Sequence, residues 1–424
     1  MGRRSDHGDD LVALPVAARS ALSGPDVPTR RPGLVPVLGV GVLLAALVAG
    51  GALTGVDGPA RHTATEAAAA RPPAPAPPRA DEPAPAGWRR GSPGPLRHRD
   101  GAVEAWTGRA LVVWGGDPDG DTGAAYDPVA DRWRPLERAP IPARCGGTAA
   151  WTGRALLVWG PACSAGGPAA AAAWTPAGPG RPGEPGAPGR WRTLPPGPLP
   201  GGADPVSAWT GRDWLVVTPS GRAAALDPDR GRWRALAPAP RPFTTATAAW
   251  TGRELAVVAW EANGRGPAAA GPVYRHWAAA LDPAAGRWRT LPDPPLALAA
   301  TAVWDGRRLV AWDQNLRSAA LDPAAPGPAW RRLPDLPVGF TDCRPQGGLV
   351  AGMVFAEECG RAAVLHSGTD TWERVPHPRS LAEAPIWTGR DAVFWMGRFP
   401  GSTDGVWLYR PSPARAAGSP GAGR

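Results

Sequence analysis

From about residue 86 onward, short apolar runs and polar breaks alternate along the chain, and the pattern repeats. Runs such as Ala110-Leu-Val-Val-Trp114 and Ala155-Leu-Leu-Val-Trp159 each follow a Trp-Thr-Gly-Arg tetrad. That tetrad starts at Trp106, Trp151, Trp209, Trp250 and Trp387, with Trp-Asp-Gly-Arg at Trp304. Next comes Tyr126-Asp-Pro128, Leu226-Asp-Pro228, Leu281-Asp-Pro283 or Leu321-Asp-Pro323. A few residues later stands another Trp, at 133, 191, 233, 288, 330 and 372. Gly and Pro interrupt the runs too often for helices, and their length and alternation fit β-strands. The unit returns roughly every 47 residues, within the range of propeller blades.

Each unit predicts four strands, A to D. Strand A ends at the Trp of the tetrad, and Thr-Gly or Asp-Gly makes a tight hairpin because Gly accepts positive φ. Strand B is the apolar run. Strand C ends at x-Asp-Pro, where Pro stops the ladder. Strand D carries the last Trp, as in Arg132-Trp-Arg134, Arg190-Trp-Arg192, Arg232-Trp-Arg234 and Arg287-Trp-Arg289. Period two sends that Trp between sheets and the flanking Arg residues outward to solvent, where charge on an outer strand deters edge pairing.

Units fall at about 101–136, 147–194, 204–236, 244–291, 298–333 and 345–375. The sixth is degenerate, with Gly348 to Phe355 standing for strands A and B. A last unit starts near 383 and stops at Tyr409-Arg-Pro411 without a strand-D Trp. Gly87-Trp-Arg-Arg-Gly-Ser-Pro-Gly-Pro-Leu96 has the strand-D pattern. The N-terminal segment is therefore expected to complete a seventh blade and close the ring.

Composition sharpens this. The chain has 424 residues, with 56 Gly, 56 Pro and 22 Trp. Gly and Pro at that level exclude coiled coils, the absence of a three-residue Gly period excludes collagen, and the Trp content argues against disorder. Six Trp lie at strand A, seven at strand D if Trp88 is counted, and four at one strand-B position (Trp114, Trp159, Trp312, Trp395), so most of the Trp is core. The net charge is +9, and all 46 basic residues are Arg. They recur with the repeat and form no block, so nucleic acid is not expected as a partner.

The tetrads, the apolar runs, Gly115-Gly116, Tyr126-Asp-Pro and Trp133 together resemble bacterial kelch repeats over residues 86–411. The Gly pair is intact only in the first blade. The Leu-Asp-Pro-x-x-Gly-x-Trp stretches also resemble quinoprotein repeats. The expected fold is all-β: a seven-bladed kelch-type β-propeller of four-stranded blades, closed by an N-terminal strand and preceded by one transmembrane helix.

That helix is expected at 32–56, a stretch without charge and long enough to span a bilayer. Arg30 and Arg31 flank it on one side and Asp57 on the other, which places residues 1–31 in the cytoplasm and the propeller outside. A cleaved signal peptide is the rival reading. The leader is long, contains Asp6, Asp9, Asp10 and Asp26 and shows no cleavage site, which favours an uncleaved anchor in the plasma membrane. Residues 57–86 read as a Pro/Ala-rich polyproline spacer, 87–411 as the propeller and 412–424 as a disordered tail. Cys145 with Cys163 and Cys343 with Cys359 fit disulfides of an exported chain.

The A–B and C–D turns belong to one face, called here the turn face, and are mostly short and uniform. The B–C and D–A loops belong to the other, the loop face, where the length varies. Variable loops on a rigid scaffold are where binding concentrates. The cysteine pairs fall on the loop face, and a strand D beginning near Trp88 starts on the turn face, so the loop face points away from the membrane.

Candidate ligand contacts are Glu261, Asn263, Arg265, Tyr274, His276 and Trp277, the richest polar and aromatic mixture in the chain, together with Glu104 toward the central channel. Asp117, Asp119 and Asp121 are a weak Ca²⁺ candidate that lacks the distal Glu of a calcium loop. Glu357 and Glu358 are further acidic candidates. No cofactor is expected.

The expected function is a binding module for an envelope glycan, peptide or protein. One alternative is a carbohydrate-active enzyme: glycosidase-like, with Glu104, Asp204, Asp342 and Glu357 as possible carboxylates, or galactose-oxidase-like. The resemblance implies two Tyr and two His at copper for the oxidase, whereas Tyr126 and Tyr409 fall at structural positions and only Tyr274 is free. The other alternative is a transmembrane sensor with a cytoplasmic tail.

Overall fold

The structure is a computed structural model. It describes residues 87–411 except 98, 118–119, 143–145, 163–168, 178–188, 203, 266–271, 297–300, 339–345, 358–360, 378–383 and 396–404. The chain divides into two compact units, Met1–Pro77 and Pro78–Arg424, and every described residue lies in the second. Among the described residues no helix is long and apolar enough to cross a membrane. The predicted span 32–56, its flanks and all four cysteines lie outside them.

The described residues form seven four-stranded antiparallel sheets, each one blade. Strand β1 (Gly87–Arg90) opens the chain. Blade 1 is β2 (Asp100–Trp106), β3 (Leu111–Asp117), β4 (Gly123–Asp127) and β5 (Arg132–Pro135). Blade 2 is β6 (Thr148–Trp151), β7 (Leu156–Gly160), β8 (Ala170–Thr175) and β9 (Arg190–Leu194). Blade 3 is β10 (Val206–Trp209), β11 (Trp214–Val217), β12 (Ala223–Asp227) and β13 (Arg232–Leu236). Blade 4 is β14 (Thr245–Trp250), β15 (Leu255–Arg265), β16 (Pro272–Asp282) and β17 (Arg287–Leu291). Blade 5 is β18 (Thr301–Trp304), β19 (Leu309–Trp312), β20 (Ser318–Leu321) and β21 (Arg331–Leu333). Blade 6 is β22 (Gln346–Val350), β23 (Met353–Glu357), β24 (Ala362–His366) and β25 (Thr371–Val375).

Blade 7 joins the two ends of the domain. Its strands β26 (Ile386–Trp387), β27 (Ala392–Trp395) and β28 (Val406–Arg410) are followed outward by β1, with Gly87 opposite Arg410 and Arg90 opposite Trp407. Each innermost strand lies against the next, and β26 against β2, so the ring is closed. A closed ring leaves no free edge between first and last blade. The N-terminal closure and the blade count read from the sequence are the ones observed.

The tetrad turns show why this motif repeats. The Gly has positive φ at every one, from 84° at Gly108 to 101° at Gly306. It is the first of two central residues, as a type II′ hairpin requires. Thr107 Oγ1 accepts from Ala110 N–H at 3.0 Å and donates to Ala110 C=O at 3.0 Å. Thr152, Thr210, Thr251 and Thr388 make the same pair of bonds. In blade 5, Asp305 accepts instead from Arg307 and Arg308 N–H. The Asp of x-Asp-Pro caps the C–D turn in the same manner, with Asp127, Asp227 and Asp282 Oδ1 each accepting two backbone N–H groups near 3.0 Å.

The core lies between blades. Strands β3, β7, β11, β19 and β27 are buried almost end to end, and Trp114, Trp159, Trp214, Trp312 and Trp395 are at most 1% exposed. The outer-strand Trp does more than fill space. Its indole N–H donates to the loop leaving the preceding blade: Trp133 to Ser92 O (3.0 Å), Trp191 to Glu137 O (2.8 Å), Trp233 to Pro195 O (3.0 Å), Trp288 to Ala237 O (2.8 Å) and Trp330 to Pro292 O (2.8 Å). Trp88 bonds Pro376 O in the same way, across the closure. In blade 6 the bond is relayed, from Trp372 to Ser318 Oγ (3.1 Å) and from Ser318 Oγ to Pro334 O (2.7 Å). A neutral hydrogen bond contributes about 1 kcal/mol net, so Trp233→Phe is expected to cost about that much by denaturant midpoint. In a double-mutant cycle, Trp372→Phe and Ser318→Ala should be clearly non-additive, since both break one relay.

Two details depart from the sequence reading. Trp330 sits one residue before β21, because Pro326 and Pro328 carry no N–H for the ladder. The Arg after each outer Trp was expected to face solvent only. Instead, after four of these Trp residues it reaches the turn of the following blade: Arg89 to Pro128 O (3.0 Å), Arg192 to Pro228 O (2.8 Å), Arg234 to Pro283 O (3.2 Å) and Arg289 to Pro323 O (2.8 Å). A guanidinium on a long stem spans that distance while its stem covers apolar surface.

In blade 6 Pro is absent from this turn, and Asp370 takes over as acceptor, from Arg331 and from Arg308 (2.8 Å). Burial pushes the Asp370 carboxyl up, but its bonds from Arg331 and Arg308 outweigh this and hold it below the usual range. A carboxylate whose folded-state pKa is depressed contributes stability above the unfolded value of about 3.9, lost as pH falls. Stability should therefore drop more steeply between about pH 4 and the folded pKa in the native chain than in Asp370→Asn. Chemical denaturation at a series of pH values measures this.

Candidate functional site

Blade 4 differs from the rest on the loop face. Its strands β15 and β16 each run 11 residues, where the corresponding strands elsewhere have four to seven. Pairing with the inner strand ends at Trp260 opposite Thr245, and pairing with the outer strand ends at Ala278 opposite Leu291. Beyond these points only β15 and β16 pair, through Glu261–Arg275 and Ala262–Tyr274, with an irregularity before Arg265–Pro272. The region read as a polar loop is thus a two-stranded ribbon. At about 3.3 Å per residue it extends the sheet by about 16 Å.

The ribbon separates the candidate contacts. Asn263, Arg265 and Tyr274 are on the ribbon, and Glu261 stands half-buried at its base. His276 is half-buried beside it, with Nε2 buried and without a partner. Burial lowers its pKa against the smaller pull of Asp293 and Asp313, which keeps the imidazole neutral near pH 7. Trp277 goes elsewhere. It is 4% exposed, packs in the core between blades 3 and 4, and donates its indole N–H to Pro242 O at 3.1 Å.

Glu104 is half-buried on β2 opposite Val113, far along the ring from blade 4. Of the Ca²⁺ candidates, Asp119 lies outside the described residues and Asp121 is paired with Arg138 at 2.8 Å. Glu357 is 1% exposed at the end of β23. Glu358, Asp342 and the four cysteines lie outside the described residues. Tyr126 is fully buried and donates to Asp131 at 2.6 Å. Burial, then that bond, raises its pKa well above the ordinary tyrosine range. Among the described residues no group of three His, Cys, Asp or Glu is arranged to hold a metal ion.

The turn face carries a feature that sequence reasoning passed over. Between blades 4 and 5 lies a cleft of ≈ 810 Å³ lined by Arg253, Arg287, Arg289 and Arg307, by the carboxylates of Glu254, Asp282 and Asp322, and by Trp288 and Trp304. Arg289 forms its wall through a bidentate pair with Glu254 (2.9 and 2.6 Å). Arg307 lies 3.4 Å from Asp322 and is largely exposed. Its arginines belong to two repeated motifs of the sequence, the tetrads (Arg253, Arg307) and the Arg-Trp-Arg of strand D (Arg287, Arg289).

No protein-family model matches the chain, and no curated protein matches it. Among solved structures, one titled "Structure of YjhT" aligns with 75% of this chain and 94% of its own, at 12% identity and a TM-score of 0.43.

Proposed function

We propose that this chain is a membrane-anchored, extracytoplasmic propeller of kelch type whose loop face binds an envelope glycan, peptide or protein. The observation that carries this reading is the ribbon of blade 4. It extends from the loop face, opposite to the face on which β1 begins, and bears backbone groups that no described neighbour pairs. Polar side-chain types collect on it in a chain otherwise dominated by Ala, Gly and Pro. The uncharged segment 32–56 behind Arg30 and Arg31 supports the anchor.

The test compares the native chain with one in which residues 262–274 are replaced by Asn-Gly, which closes the hairpin directly across the Glu261–Arg275 pair. Both are melted against envelope glycans and peptidoglycan fragments. A ligand at 100-fold over its Kd raises stability by about 2.7 kcal/mol. The expected result is a shift in the native chain only. A shift of equal size in both chains, or turnover of the ligand, overturns the reading. The anchor is checked separately: the full chain should remain in the membrane pellet after carbonate extraction.

A further inference from the structure

Six of the seven A–B turns place an arginine at the same position: Arg109, Arg154, Arg212, Arg253, Arg307 and Arg390. All six are exposed, Arg109 and Arg307 by 78% and 82% of their side chains. Because the inner strands form a closed ring, these turns encircle the mouth of the central channel on the turn face. Farther out on the same face, Arg132, Arg190, Arg232 and Arg287 open the outer strands and are also exposed. Carboxylates accompany several of these groups: Asp127 lies 3.5 Å from Arg109, Asp322 is 3.4 Å from Arg307, and Asp229 pairs with Arg154. They leave much of each guanidinium open to solvent. Asp213, Asp227, Glu254, Asp305 and Asp391 belong to the turn face too, but with side chains only 22%, 17%, 14%, 3% and 7% exposed they lie beneath the guanidinium tips.

A second observation points the same way. Two large hydrophobic side chains are exposed among the described residues, Val129 at 72% and Leu349 at 38%. Val129 is in the C–D turn of blade 1, and Leu349 is the last residue but one of the inner strand of blade 6, next to its A–B turn. Both belong to the turn face. The described turns there are short, so arginines and apolar tips share one shallow surface. Finally, β1 starts on this face, because Gly87 pairs with Arg410 at the turn end of β28.

We propose that the turn face docks on an anionic lipid surface, with the arginine ring over headgroup phosphates and Val129 and Leu349 at the acyl boundary. The cleft between blades 4 and 5 opens on this face, with Arg253, Arg287 and Arg307 beside Glu254, Asp282 and Asp322. This deepens the anchored reading above and rests on it for biological sense. It gives the propeller a fixed orientation in which the ribbon points outward.

The experiment uses the compact unit 78–424, with cooperative melting as the proof of folding, and vesicles of phosphatidylcholine alone or mixed with phosphatidylglycerol. The unit should sediment with the mixed vesicles at low salt, release at high salt, and ignore the neutral ones. Each arginine at an anionic surface changes partitioning roughly fivefold. The variant Arg212→Ser, Arg253→Ser, Arg390→Ser should therefore bind roughly a hundredfold more weakly. The variant Arg222→Ser, Arg241→Ser, Arg275→Ser removes equal charge from the loop face and should bind as the native unit does. Val129→Ser with Leu349→Ser should weaken binding without changing its salt dependence.

Equal loss in both triple variants, absence of binding to anionic vesicles, or binding to soluble heparin without vesicle binding overturns the proposal. The two readings fail separately. Extraction of the full chain by carbonate would refute the anchor while vesicle binding by 78–424 stood.

Discussion

A chain shortened to begin at Pro95 is expected to lose cooperative melting, whereas one beginning at Pro78 keeps it. The shortened chain lacks β1, and the ring then ends at an unpaired β28. It also lacks Trp88, whose ring packs on Tyr409 at 4.8 Å and Phe394 at 5.1 Å and whose N–H bonds Pro376 O. Ser92 goes too, and with it the backbone N–H that reaches Asp131 at 2.7 Å and the carbonyl that holds Trp133. Trp88 is half-buried, so its loss alone costs less than the ~3–5 kcal/mol of a fully buried aromatic, but the lost strand pairing and Ser92 bonds add to it, against a total stability of about 5–15 kcal/mol for a typical domain. Adding a peptide of residues 86–96 should restore part of the transition, because an extended segment can complete a sheet edge. A Pro95 chain that melts like the longer one would show that the closure is ornamental.

The second large effect is expected in the core. Trp214 is fully buried, lies between blades 2 and 3, and has an indole N–H without a partner. Trp214→Ala should destabilise by about 3–5 kcal/mol through lost burial and the cavity left behind. Trp214→Phe should cost far less, because it removes an unsatisfied polar group along with some volume. Guanidinium unfolding of the 78–424 unit distinguishes them. Similar losses for both substitutions would mean that the indole N–H has an acceptor after all.

The fold was legible because its signals are local and repeated. Gly at each tetrad fixes a hairpin, Asp-Pro fixes the next turn, and Trp88 at one end matches a Trp missing at the other. The ribbon was not legible, since Gly264, Gly266 and Pro267 disguise a strand pair as a loop. The inter-blade bonds were also hidden, because their acceptors are backbone carbonyls, which carry no side-chain signature. One of them had left a trace: Ser318 stands where blades 1 to 4 and 6 have Ala or Gly at the same strand position, such as Ala223 and Ala278, and blade 7 has Val406. Trp277 shows the limit of composition as a guide. It belongs to a polar, aromatic cluster by sequence, yet alternation along β16 turns it into the core beside Ala279 and Leu281.

The attachment of β1 has a mechanical side. Its first residue is at the turn face, and the strand runs from there along β28 toward the loop face. A pull on the preceding chain away from the turn face therefore acts along the strand axis. It loads the pairs from Gly87–Arg410 to Arg90–Trp407 in shear, together with the Trp88 contacts, rather than peeling them one at a time. The outermost strand, elsewhere the first to fray, is here placed to bear tension.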